Sequence, residues 1–320
     1  MAGDWLAELD GSRVTVEVPA SSANLGAGYD CLGVALALTN RIDLEVRAWS
    51  RGEIELVVEG EGRDGLPADR ENRFVRGLEA ALRAARGELP AGVGWRISMH
   101  NQIPLARGLG SSAAATVGGI LVGNALAGEA LSMAEMLGLA CEIEGHPDNA
   151  AAALLGGFVV SSRDGQGVEA IRFDSPRDLR AVLFIPELRL PTGEMRAALP
   201  LTVPLADAVA NLGAVAVGVA GLATGRYDLL ARLTVDRLHE PYRAAVFPQL
   251  PRMVEAARGS GALGACLSGA GSTILAFADS MAGITRIEAA FFAAAADVDL
   301  PGRVLVVEPR NSGARVVGRG

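Results

Sequence analysis

Residues Pro104 to Thr116 read PLARGLGSSAAAT, a glycine-serine turn between an expected strand, Trp95–Met99, and an expected apolar helix, Ala113–Ala127. Gly108 and Gly110 let the backbone take positive φ and approach a ligand closely. Ser111 and Ser112 add hydroxyls where the new helix presents unpaired N–H groups. Such a nest of amides, backed by the positive end of a helix, attracts phosphate. The stretch predicts a phosphate site at a strand-to-helix turn.

The kind of phosphate site follows from what is missing. All 29 basic residues are arginine, so a Walker-type P-loop and Schiff-base chemistry are excluded for want of a lysine. GLGSSA also matches the dinucleotide pattern G-x-G-x-x-A, which needs a second strand ending in an acid about twenty residues on. Here the helix runs through Asn124 to a break at Gly128, and a second helical pattern, Met133–Ile143, follows. Glu129 lies between helices, so an NAD-dependent oxidoreductase does not fit. A bare glycine connector is disfavoured by the paired serines and the clean helix start.

The string P-x-x-x-G-L-G-S-S-A-A resembles the phosphate loop of the GHMP kinases. VPASSANLGAGYDCLGVAL near the N-terminus and CLSGAGSTILAF near the C-terminus resemble the superfamily's other motifs. Within it, the first of these and EGHPDNAAAALLGGF are similar to the homoserine kinases. The resemblance covers about Val14 to Val317. It implies an α+β, two-domain GHMP kinase fold: an N-terminal ribosomal-protein-S5-domain-2-like ATP-binding domain over 1–160 and a C-terminal ferredoxin-like domain over 161–320. It also implies transfer of the ATP γ-phosphoryl group to the hydroxyl of L-homoserine, in threonine biosynthesis. A mevalonate- or sugar-type kinase, or a non-catalytic metabolite-binding regulator on this fold, are the alternatives.

The same resemblance implies the site. ATP would lie along Pro104, Arg107, Gly108, Leu109, Gly110, Ser111 and Ser112, with Gly269, Gly271 and Ser272 closing the pocket. Asn72 would reach the adenine edge, although as the N-cap of the helix Arg73–Arg86 it already has a structural role. Ser112 and Glu144 would hold Mg²⁺, a hard cation that takes few protein oxygens; Glu142, two residues away, belongs to another face of the helix. Asn24, Asp30, His146, Asp148, Asn149, Thr192, Arg196 and Arg243 would bind the amino acid. In this set the two arginines take the carboxylate, which a guanidinium fork matches bidentately, and Asp30 the ammonium. Asp148, Asn149 and Glu144 are the catalytic candidates. For Asp148 a general base and mere positioning are both open, because a loose phosphoryl transition state needs little deprotonation.

Composition bounds the rest. At 320 residues the chain exceeds what one core usually supports. A net charge of −8 without a basic run argues against a nucleic-acid partner. The longest apolar runs, such as Leu212–Ala223, are read as too short for a bilayer, so no membrane partner is expected. The N-terminal MAGDWLAELDG has no export-signal pattern. Cys31, Cys141 and Cys266 are odd in number and far apart, which points to a reducing, cytoplasmic setting without disulfides. No Cys or His pair has zinc-ligand spacing. Oligomeric state is not readable from pattern; the resemblance brings the homodimer common among family members.

Strands are expected at Ser12–Val18, Leu32–Leu38, Ile42–Ala48, Glu53–Val58, Leu179–Ile185, Ala262–Cys266, Thr273–Phe277 and Arg303–Val307. Further helices are expected at Leu205–Ala223, Leu250–Gly259 and Ile284–Ala296.

Overall fold

The computed structural model describes residue 5 and residues 7–48, 50–89, 92–165 and 167–320. Part of the N-terminal stretch read for an export signal lies outside these. The first half runs β1 (Arg13–Ala23), β2 (Leu32–Arg47), β3 (Ile54–Gly60), α1 (Arg73–Arg86), β4 (Gly94–Asn101), α2 (Ser111–Leu126), α3 (Met133–Glu144), α4 (Asp148–Leu155), β5 (Phe158–Asp164) and β6 (Gly167–Phe173). The second runs β7 (Arg180–Pro186), α5 (Thr192–Ala197), α6 (Leu205–Thr224), α7 (Leu230–Leu233), α8 (Glu240–Arg243), α9 (Leu250–Gly259), β8 (Gly264–Leu267), β9 (Ile274–Ala278), α10 (Met281–Asp297), β10 (Gly302–Val307) and β11 (Arg315–Arg319).

The first sheet is ordered β11-β1-β2-β4-β3, with β5 joined to β2 and β6 to β5. Only β3–β4 is parallel among its pairings. The second sheet is antiparallel, β10-β7-β9-β8. Its strands and the helices α9 and α10 follow the split β-α-β-β-α-β order of a ferredoxin-like unit.

The first sheet reaches beyond residue 160, where the sequence suggested a boundary. The β5–β6 hairpin continues to Phe173, and β11 returns from the far end of the chain to pair with β1. β1 does not stop at Pro19 as expected. The register shifts between Pro19 and Ala20, and pairing resumes through Ala23 opposite Gly33; the bulge accommodates the missing proline N–H. The two strands expected on either side of Thr39-Asn40 are one, because Asn40 stays in the ladder and its side chain accepts from the Gln102 and Ile103 N–H groups.

α1 and α2 pack almost backbone to backbone over this sheet. A methyl group on Gly119 would lie 2.0 Å from Phe74 O, and one on Gly77 2.3 Å from Thr116 O. Beneath them Phe74, Leu78, Trp95, Val117 and Ile120 are buried with Val16 and Val18 of β1. This close packing fixes where α2 begins, and hence where the glycine-serine turn sits.

α6 corrects the reading of apolar runs. Its twenty residues have a mean hydropathy of 1.7 over the best window, long and apolar enough to span a bilayer by length and composition alone. Asn211, Gly218, Gly221 and Leu222 face the protein, while Leu205, Val209, Leu212 and Val217 are exposed.

Candidate active site

The turn leaves β4 and enters α2 through Gly108 (φ 73°) and Gly110 (φ 70°). α2 starts at Ser111, two residues earlier than expected, so both serines lie in its first turn. Among the described residues, no protein acceptor takes the N–H groups of Gly108 to Ser112. They face a cavity of about 480 Å³.

The turn is clamped from behind by the second half of the chain. Ser268 Oγ donates to Gly108 O at 2.7 Å and Thr273 N to Arg107 O at 3.1 Å, while Gly269 N reaches the end of β1 at Ala23 O, 3.0 Å away. Gly269 lines the cavity, but Gly271 and Ser272, expected beside the phosphates, do not. The Ser272 hydroxyl is buried and donates to Leu188 O, so it holds the loop. Arg107 lines the cavity as expected, but it is also tied to backbone. Its guanidinium donates to the carbonyls of Pro186, Glu187, Leu105 and Ala106, tying the turn to the end of β7. Its charge is spent on backbone, and burial pulls its pKa down. Pro104, Leu109 and Asn72 all line the cavity. Asn72 caps α1 by accepting from Phe74 N, and it donates to Pro67 O.

Glu144 ends α3 with its side chain nearly buried. Its Oε1 accepts from Ser112 Oγ at 3.0 Å and from Thr116 Oγ1 at 2.6 Å, and the Arg73 guanidinium lies 3.7 Å away. Thr116 and Arg73 were not anticipated; Thr116 lies one helical turn past Ser112, and Arg73 directly follows the cap residue Asn72. The hydroxyl–carboxylate pair beside open amides is a hard-oxygen set that fits Mg²⁺.

Asp148 opens α4 and is buried. Its Oδ1 accepts from Asn149 N and meets His146 Nδ1, each at 2.7 Å, while Oδ2 has no protein partner among the described residues. Burial disfavours the His146 imidazolium, yet the Asp148 carboxylate outweighs it and the net pKa is raised. Asn149 accepts from Ser21 Oγ at 2.9 Å.

Beside His146 and Asp148, the cavity holds Asp30 and Arg196. They are paired with each other, Nη2 to Oδ1 at 2.6 Å and Nη1 to Oδ2 at 3.0 Å. Arg196 Nη1 also donates to the Tyr29 hydroxyl at 2.8 Å. The Tyr29 ring carries Arg196 and Arg243 at 5.6 and 5.5 Å from its centre, and His239 at 5.4 Å. Burial, then the Asp30 charge, raises its pKa. Sequence reading passed over Tyr29 and His239. The signals were present, an aromatic next to Asp30 and a histidine four residues before Arg243, but neither residue type is informative alone. Thr192 lines the cavity. Asn24 also lines the cavity, and backbone holds it at both ends: Oδ1 accepts from Asp30 N, and Nδ2 donates to Gly269 O. Unpartnered backbone amides, a hydroxyl–carboxylate pair and a set of opposite charges thus share one cavity.

The model of the GHMP kinases N terminal domain matches residues 72–157, and that of GHMP kinases C terminal matches residues 209–296. The homoserine kinase of Moorella thermoacetica is 43% identical over 302 residues, covering 94% of this chain and 99% of its own. That of Caldicellulosiruptor bescii is 41% identical, covering 95% and 96%. Among solved structures, homoserine kinase from Cytophaga hutchinsonii superposes with a TM-score of 0.83 at 29% identity, covering 95% of this chain and 97% of its own. L. major mevalonate kinase shares the fold, with a TM-score of 0.63 at 17% identity over 93% and 95%. With both domain models matched and relatives this similar along nearly its whole length, the chain belongs to the GHMP kinase family.

Proposed function

We infer that the protein is an ATP-dependent kinase that phosphorylates the hydroxyl of L-homoserine, giving O-phospho-L-homoserine and ADP in threonine biosynthesis. The observation that carries this reading is the pairing of Asp30 with Arg196 in the same cavity as the open amides of Gly108 to Ser112. An amino acid carries the complementary charges to both. Its carboxylate replaces Asp30 on Arg196, and its ammonium replaces Arg196 on Asp30, so neither half-buried charge is left without a partner. Arg243 meets the same carboxylate from the side of Tyr29.

The phosphates of ATP lie against the N–H groups of the turn, at the positive end of α2. Ser112 Oγ and the Glu144 carboxylate hold Mg²⁺, which supplies charge neutralisation at the phosphate oxygens when bound. Asp148 Oδ2 accepts from the substrate hydroxyl and takes its proton as the new P–O bond forms and the γ-phosphoryl bond to the departing ADP breaks, while Asn149 fixes the hydroxyl's position. Alignment and preorganised charge do most of the work, because the transition state is loose. The three cysteines are free, in keeping with a cytoplasmic setting.

ADP release in the presence of Mg-ATP tests the reading, with L-homoserine, D-homoserine, mevalonate and galactose offered separately. Turnover is expected with L-homoserine alone. In Arg196→Ala its KM rises about 100-fold while kcat changes far less, since a ground-state grip is lost. Preference for mevalonate or galactose would overturn the substrate; ATP binding without turnover of any of the four would favour a regulator.

A homodimer through α6 and the segment leading into it belongs to the same proposal. Leu201, Val203, Leu205, Val209, Leu212 and Val217 expose on the order of 600 Å² of apolar surface, approaching the ~800 Å² per partner of a standard interface. Sedimentation equilibrium should give a dimer that Leu212→Glu converts to monomer. A wild-type monomer at high concentration, or one that adsorbs to phospholipid vesicles, would refute this.

A further inference from the structure

Arg243 is almost fully committed to protein acceptors. Its Nε donates to Met195 O at 3.3 Å, and its Nη1 to Gly269 O at 2.9 Å and to His239 Nδ1 at 3.0 Å. Only Nη2 has no partner among the described residues, and Arg243 lines the cavity. The third acceptor is unusual, because an imidazole nitrogen can accept only when it is bare. His239 Nε2 meets Gly26 O at 2.8 Å, which fixes the proton on Nε2 and leaves Nδ1 unprotonated.

That anchor is itself rigid. Gly26 has φ 78°, and a methyl group there would fall 2.5 Å from the Thr234 backbone. The ring's own backbone is held as well: Asp236 accepts the N–H groups of Leu238, His239 and Glu240, and Asn211 of α6 donates to Asp236. His239 is wholly buried, and burial depresses its pKa to about 4, against the opposing pull of Asp236. The neutral ring therefore persists at physiological pH.

We propose that His239 is a positioning residue: its Nδ1 turns the Arg243 guanidinium so that Nη2 alone meets the substrate carboxylate, and this sets affinity for the amino acid. The proposal rests on the reading of Arg243 given above. His239 touches no substrate and acts through the arginine.

Two replacements separate the ring's two nitrogens. Asn places an acceptor near Nδ1 and abandons Gly26; Gln places a donor near Nε2 and abandons Arg243. Both lose the ring and its contact with Tyr29. H239Q should raise the KM for L-homoserine about tenfold or more with kcat within roughly twofold, while H239N stays within about threefold of wild type. In an Arg243→Ala background the H239Q effect should vanish. Equal KM values for H239Q and H239N, or an undiminished effect in that background, would overturn the proposal. If Arg243→Ala itself leaves KM unchanged, the reading of Arg243 fails and the proposal with it. If Arg243→Ala raises KM and H239Q does not, the proposal fails alone. Nitrogen NMR of the unmodified protein gives a check independent of how the variants fold. The Nε2–H tautomer should persist from pH 5 to 8, and an Nδ1–H tautomer or an imidazolium there would refute the proposal.

Discussion

Gly110→Ala will lower kcat/KM by at least about 10³-fold, with the rest of the fold intact. Gly110 caps α2 at φ 70°, and a methyl group there would lie 2.0 Å from Ser21 Oγ and 3.1 Å from Asn149 Oδ1. The left-handed backbone alone costs an alanine about 1 kcal/mol. The clash costs more, and it falls where it matters, since Ser21 is the residue that orients Asn149. Relief requires the turn to retreat from β1, which carries the open N–H groups out of register with the phosphates. A shift near 1 Å costs about 100-fold through misalignment, and each misdirected donor costs about as much again. Gly138→Ala is the control, because nothing lies within 4 Å of its added methyl in the middle of α3. It should keep wild-type turnover and gain a little stability from helix propensity. Steady-state kinetics with ATP-binding and melting curves checks this. Wild-type turnover in G110A would show that the turn does not cradle the phosphates.

That turn was legible because its causes are local. Glycines demanding positive φ, two serines and an immediate apolar helix all lie within thirteen residues, from Pro104 to Thr116. α1 was equally readable, Arg73 to Arg86 with Asn72 as its cap, for the same reason. What escaped depends on partners far away in the chain. β11 is five residues flanked by arginines, RVVGR, and it is a strand only because β1 lies ready to pair with it. β1 continues past Pro19 because β2 offers a register on both sides of the bulge. The arginines show the limit most clearly. Arg107 and Arg196 look alike in sequence, yet one is consumed by backbone carbonyls and the other meets Asp30, 166 residues away. Resemblance selected Arg196 and Arg243, but the neutral histidine that orients Arg243 could be recognised only from its two hydrogen bonds.

Glu240→Gln will stabilise the protein at pH 7.5 and leave it almost unchanged near pH 4.5. Glu240 opens α8, with Leu267 N donating to its Oε1 at 2.6 Å. Burial pushes its pKa up to about 8; the Leu267 N–H opposes the shift and the neighbouring Asp236 charge adds to it. The folded chain therefore keeps a proton that the unfolded chain releases near pH 4.5. Between those values the unfolded state binds fewer protons, so wild-type stability falls as pH rises, and it levels off above about 8. Glutamine resembles the protonated acid in shape and hydrogen bonding, and it has no proton to release. The advantage of the variant grows by up to about 1.4 kcal/mol per pH unit. Discounted for the partial solvent contact of this residue, it should reach on the order of 2 kcal/mol at pH 7.5. His239 has the opposite dependence, since its depressed pKa makes stability fall as pH drops from about 6.5 toward 4. It is common to both proteins and cancels in the difference. Urea unfolding at the two pH values measures that difference directly. A constant offset at both pH values would mean that Glu240 is ionised in the fold, beside the buried carboxylate of Asp236.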